Sequence, residues 1–299
     1  MKKLLTAFII SLLMTSMVNA NQCTNNFTLS ALETLKKEKF EIESVNKRNK
    51  TAIKLLSCLG YQDPKIRDGV VFEGISYWLR NELLDQNTVK TIFNSLINTL
   101  QQVNQETDDF TQPFAALVFS EVIRVDRLSP YLSDEERQRA VDVSTRYMSK
   151  IEDYRGFDDA KGWRHAVAHT ADVFLQLSLN KNISKIQLNQ LLSAIQSQVS
   201  PQKLHFYTYG EPKRLATAII YIVLRGEHTE SEISSFFDRV VSPVPFADWD
   251  SVYGSKNGLA KLHNTRSFIY SIFAITGQSE NPKLKAIQPI LANIIKNLG

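Results

Sequence analysis

An all-α fold, a HEAT-like α-solenoid of about five helical hairpins, is what this sequence predicts, and three observations predict it. First, helix-like segments recur about every 49 residues: steps from Arg67 land on Ala116, His165, Arg214 and His263. Six residues further on, the column reads Glu73, Val122, Ala171, Ile220 and Ile269; nine further on, it reads Ser76, Val125, Phe174, Val223 and Ile272. Two mostly apolar columns beside a mostly cationic or histidine one suit stacked hairpins, which bury one face against their neighbours and present another. Second, no segment sustains the period-2 alternation of a half-buried strand, so essentially no sheet is expected. Third, helix start and stop signals fall at hairpin spacing.

Taken in order, Ser30 with Glu33 offers a capping box for a first helix. A helix over 52–59 stops at Gly60. Asp63-Pro64 joins an N-cap to a proline in the first turn, where its missing N–H costs nothing, and opens a long helix through Trp78 to position 83. Asn87 starts the partner helix, with Val89, Ile92, Phe93, Leu96, Ile97 and Leu100 at helical spacing. The second hairpin covers 113–125 and 133–152, the latter opened by a Ser133/Glu136 capping box. The third covers 161–179 and 184–199, and the fourth runs from Glu211-Pro212 to Gly226 and then over 230–241. The fifth covers 259–275 and 282–298. Residues 242–258 hold Trp249 and Tyr253 among Pro, Gly and Asp and form the longest irregular connection. No linker divides the chain, so 21–299 is read as a single α-helical repeat domain.

Residues 1–20 read as a secretory signal peptide of bacterial style. Lys2 and Lys3 precede the apolar run from Leu4 to Met14, and Val18-Asn19-Ala20 is the cleavage site. The run is shorter than the roughly 20 residues that span a bilayer, and the other apolar stretch, from Leu215 to Leu224, is shorter still. The expectation is a periplasmic or secreted protein without a membrane span once the signal is removed. Asn21-Gln22 ahead of Cys23 argues against lipid attachment. Export also makes pairing the default for the two cysteines, Cys23 and Cys58. The formal charge of +4 includes Lys2 and Lys3, and no basic run is interleaved with aromatics, so nucleic acid is not an expected partner. A hydrophobic fraction of 43% and a charged fraction of 22% are those of an ordinary globular chain.

The chemistry concentrates in DYRGFDDAKGWRHAVAHTAD, residues 153–172. On one helix His165, His169 and Asp172 fall at i, i+4 and i+7 along one face, with Trp163, Val167, Ala171 and Phe174 as the packing face. Two histidines at i, i+4 can hold a metal, but Ala166 stands where a zinc protease needs its general-base Glu. Glu211 is the one attractive third ligand. No metal site and no cofactor are assigned, and three roles stay open: metal ligation, hydrogen bonding across the stack, and ligand binding without metal. Glu211 with Arg214, and His263 with Arg266, are spaced i, i+3. His205 and His228 fall in connections and are expected to be exposed; Trp78 and Trp163 are expected in the core.

Asp63-Pro64 with Arg67-Asp68, then Arg155-Gly156, Gly162-Trp163, His165, Ala168-His169 and Asp172, resemble the pattern of the bacterial family called domain of unknown function 2785. Gly210-Glu211 with Arg214-Leu215-Ala216, and His263-Asn264 with Arg266-Ser267, extend the similarity along most of the chain. Arg164 departs from the small or apolar residue expected there. The resemblance implies an all-helical repeat fold and brings no activity with it.

The expected ligand-binding set is therefore His165, His169, Asp172, Glu211, Arg214, His263 and Arg266. Carboxylates alternating with cations suit a polar small molecule or a peptide or protein segment, and a binding or scaffold module is the first reading. The alternative is a hydrolase, possibly metal-dependent, with His165 or His169 as general base and Arg214 stabilising an oxyanion.

Overall fold

Short polar side chains decide where most helices begin, and the computed structural model describes residues 23–102 and 110–298. The expected signal peptide lies outside the described residues. Within them the protein is helical apart from one small two-stranded ladder, so the all-α class is borne out. The chain divides into two compact units: one runs up to Val125 and takes in Phe157–Arg164, and the other holds Asp126–Gly156 and the chain from His165 onward.

In the first unit α1 (Leu29–Lys37) starts at Thr28, whose hydroxyl accepts the Ala31 N–H, two residues before the expected Ser30 box. Helix α2 (Val45–Leu55) starts at Ser44 and tightens into a 3₁₀ turn over Leu56–Cys58. Cys58 is bonded to Cys23 as expected, with Cα atoms 4.7 Å apart. Asp63 caps α3 by accepting the Lys65 N–H. This helix runs through Pro64–Ile66, a π-wound stretch Arg67–Phe72, and Glu73–Arg80. Trp78 is fully buried and donates its indole N–H to the Phe40 carbonyl at 2.8 Å. Helix α4 (Gln86–Gln101) begins at Asp85 and buries all six of its periodic apolar residues. Helix α5 (Thr111–Leu128) follows.

The ladder pairs β1 (Phe157–Asp158) with β2 (Gly162–Trp163) and occupies ground where a helix from 161 was expected. Its causes are local and long-range together. The Asp158 carboxylate accepts the N–H groups of Ala160 and Lys161 at 2.9 and 2.8 Å, closing a turn. Gly162 sits at φ +72°, where a side chain would be strained. Arg67 of α3 then donates to the carbonyls of Lys161 (2.8 Å) and Trp163 (3.4 Å).

Arg67 is itself fully buried. Its guanidinium lies 3.9 Å from the Phe110 ring centre and 4.6 Å from that of Phe114. Burial pulls its pKa down, and the Asp68 carboxylate at 2.9 Å opposes that. Arg67 is thus a keystone of the first unit. Trp163, expected in the core, is 39% exposed and packs on Phe157 with ring centres 5.0 Å apart.

The second unit is built as two rows of helices. Helix α6 (Asp134–Lys150) opens with the predicted Ser133/Glu136 box, and α8 (Lys185–Val199) with a Ser184/Gln187 box. They share a row with α10 (Glu230–Val240) and α12 (Pro282–Asn297), each packing on the next. The other row is α7 (Ala166–Leu179), α9 (Glu211–Arg225) and α11 (Lys256–Gly277), with α9 packed between the other two. Side chains bridge helices that lie far apart in sequence. Arg127 donates to Gln176, and Gln187 to Gln138, each at 2.9 Å and each across 49 residues. Among the described residues, no helix is long and apolar enough to cross a membrane.

Candidate functional site

The site grows from the way α7 and α9 begin. His165 does not lie on its helix as expected; it caps it, in the left-handed region at φ 53°, ψ 38°. That conformation is costly for a residue with a Cβ. It is held because the His165 N–H donates to the Arg155 carbonyl at 3.1 Å while its own carbonyl accepts the His169 N–H at 3.0 Å. The His165 and His169 rings still meet edge to face, 5.8 Å between centres, and His169 is buried.

Helix α9 begins after Gly210, at φ +87°, with no side-chain cap. Glu211 turns inward at its first position and is buried. One carboxylate oxygen accepts the Tyr209 N–H at 3.0 Å, and the other lies 3.4 Å from His165 Nε2. Burial alone would raise the pKa of Glu211. The interaction with His165 and the backbone N–H donors outweigh it, so the carboxyl is held below its ordinary value.

One turn beyond His169 on α7 and one turn beyond Glu211 on α9, Asp172 and Arg214 form an ion pair in which Arg214 is 46% exposed and Asp172 18%. The α7–α9 contact thus brings together five of the seven expected residues. His263 and Arg266 do other work on α11. His263 Nε2 lies 3.0 Å from the Tyr207 carbonyl, and Arg266 donates to the Leu298 carbonyl at 3.2 Å and the Tyr253 hydroxyl at 3.4 Å. Arg266 ties Leu298 and Tyr253 to α11 and is not part of the cluster.

The residue that sequence reasoning missed is Asn264, which is buried. Its Oδ1 accepts the Tyr207 N–H and its Nδ2 donates to the His205 carbonyl, both at 2.9 Å. It clamps residues 200–210, the strap that joins α8 to α9. Beneath the strap, His205 stacks on Tyr154 at 5.2 Å and meets Tyr207 edge-on at 5.3 Å. The Tyr207 hydroxyl donates to Gln198 at 3.3 Å.

The expectation that His205 is exposed is therefore corrected. It is half-buried, and burial pulls its pKa down against the weaker upward influence of Glu211 and Asp153. Burial likewise pushes the Tyr154 phenol up to about 12. His228 is also half-buried, with Nε2 2.9 Å from Asn189 Oδ1. No periodic signal marks the clamp; its traces in the sequence are the adjacency of Asn264 to His263 and the place of that pair in the family pattern.

Among the described residues no three or more His, Cys, Asp or Glu side chains are grouped so as to hold a metal ion. What the arrangement offers is a carboxylate held against an imidazole, an exposed guanidinium beside them, and exposed aromatic rings. Phe206 is 37% and Tyr209 41% exposed.

Fold and site together define an all-helical protein with a paired-charge cluster at one helix–helix contact. The profile of the family described as "Protein of unknown function (DUF2785)" matches residues 96–274, and the chain belongs to that family. The matched stretch contains every residue of the cluster and the clamp. No curated protein and no solved structure matches the chain significantly.

Proposed function

We propose that this is an exported helical-repeat protein of HEAT-like build that acts as a binding or scaffold module, with α7, α9 and α11 carrying the contact surface. The observation that carries the reading is the setting of Arg214. It is a half-exposed cation held in place by Asp172, next to the His165–Glu211 contact, and exposed Phe206, Tyr209 and His263 lie nearby along the strap and α11. Such a surface combines a fixed charge with aromatic area and suits a polar small molecule or a peptide segment. The two side-chain bridges across 49 residues support the repeat build, since a repeat of that period would bring equivalent positions together. The disulfide supports export, because such bonds persist in oxidising compartments.

A ligand panel read by thermal shift tests this. Arg214→Ala should fold normally yet lose the stabilisation that a binding ligand gives the native protein. Equal stabilisation of both proteins by every binding ligand would remove Arg214 from the surface.

The His165–Glu211 contact favours one second reading, a hydrolase. A carboxylate that orients an imidazole prepares it as a general base, and Arg214 would steady the developing negative charge. Turnover of ester, amide or phosphoester substrates that is abolished in His165→Gln would establish it.

A further inference from the structure

The strap is clamped along one edge. In an extended chain the N–H and C=O of alternate residues point to opposite edges. His205 and Tyr207 turn their bonded backbone groups toward α11, where Asn264 and His263 take up the His205 carbonyl, the Tyr207 N–H and the Tyr207 carbonyl. The side chains follow the same alternation: His205 and Tyr207 pack inward, whereas Leu204, Phe206 and Thr208 are exposed. Among the described residues, the backbone groups of Leu204, Phe206 and Thr208 carry no hydrogen bond. These residues therefore present three N–H and C=O pairs on the edge away from α11, beside two apolar side chains. It is a strand edge in all but the neighbour.

Charge indicates what kind of neighbour fits. Lys203 lies on the strap and Lys213 in the first turn of α9; both are exposed, and neither is in an ion pair. Asp172 is occupied by Arg214, Asp153 by Arg155, and Glu211 is buried, so none of these carboxylates offsets those lysines at the surface. A second copy of the chain would bring the same lysines to the same edge.

We infer that the strap 204–208 is a docking edge for an extended, net-acidic peptide that adds to it as a β-strand. Main-chain hydrogen bonds to Leu204, Phe206 and Thr208 would supply affinity. Alternate apolar side chains would pair with Leu204 and Phe206. The inference rests on the binding-module reading and names its partner class.

The test uses the full chain and a labelled, end-capped seven-residue peptide of alternating glutamate and valine, read by fluorescence anisotropy. Two further peptides carry N-methyl groups on one or the other set of alternate amides, and a fourth replaces glutamate with lysine. Saturable binding is expected for the parent peptide. At least about tenfold weaker binding is expected for one of the two methylated peptides and for the lysine peptide. On the protein side, Phe206→Ser and the double change Lys203→Glu with Lys213→Glu should both weaken binding, and the lysine change, at two exposed residues, should do so without moving the melting temperature.

Equal binding of the parent and both methylated peptides would overturn strand addition. A concentration-dependent dimer that disappears in Phe206→Ser would overturn the peptide as occupant and put a second copy in its place. Failure of the peptide alongside persistent Arg214-dependent stabilisation by another ligand would overturn this inference and leave the binding-module reading standing. Failure of both would remove both.

Discussion

Replacing Asn264 by Ala removes both hydrogen bonds that the buried amide makes to the strap, to the Tyr207 N–H and the His205 carbonyl. Each such bond contributes ~1 kcal/mol net, and a buried group left without a partner adds ~1–3 kcal/mol. Tyr207 is buried, so its N–H bears that penalty, whereas His205 is half-buried and water offsets the loss at its carbonyl. Alanine returns ~0.5 kcal/mol through its better helix propensity. The balance is a loss of ~2–4 kcal/mol, a fall in melting temperature on the order of 10 °C.

Calorimetry measures the loss, and amide exchange at Tyr207 shows where it occurs. Asn264→Asp sharpens the test. It keeps the acceptor for the Tyr207 N–H but turns the donor into an oxygen facing the His205 carbonyl. Burial raises the pKa of such a carboxyl, so the variant should be strongly destabilised at neutral pH. It should recover toward the native protein on acidification, as protonation restores a donor. If Asn264→Ala melts within about 2 °C of the native protein and the Tyr207 amide stays protected, the clamp does not hold the strap.

His169→Ala should lower stability by ~2–3 kcal/mol, because the ring is buried rather than on an open face; an unchanged denaturant midpoint would contradict that placement. Glu211 has a folded pKa below its unfolded value of about 4.3, so its contribution to stability is present above that pH and is lost as pH falls through the folded value. In Glu211→Gln the acid limb of the stability curve below about pH 4.3 should be shallower than in the native protein, and two superimposable acid limbs would refute the shift. Reducing the Cys23–Cys58 bond should cost ~3–4 kcal/mol in a denaturant melt on the loop-entropy model; two thiols that alkylate without reductant would show that no bond was present.

Where a helix boundary rests on neighbours in sequence, it was legible. The Ser133/Glu136 box, the Asp63-Pro64 start, the Glu211-Pro212 start and the Gly226 stop all stand where the residues predict them. Each is decided within about one turn, by a side chain reaching an N–H two or three residues away or by a backbone angle that glycine tolerates. The approach of Glu211 to His165 was partly legible as well, since Glu211 was the one candidate ligand within reach of the histidines, whereas the Asp172–Arg214 pair was not, because the spacing set Arg214 beside Glu211 instead. The role of Arg67 was not. Its bonds to Lys161 and Trp163 span 94 and 96 residues, and no spacing rule reaches that far.

By itself, then, the sequence determined the helical class, most helix starts, the cysteine pairing and the family, all of which follow from local chemistry, from the cysteine count or from a contiguous pattern. The tertiary structure alone decided which polar residues are buried and what they hold. Arg67 heads the 49-residue column with nothing to mark it as buried, and is a buried keystone; His165 reads as helical and is bent into a left-handed cap; Asn264 falls in the family pattern with no role attached, and clamps the strap. The physical reason is common to all three. A polar group can be buried only if partners from elsewhere in the chain satisfy it. Those partners become neighbours only when the helices pack.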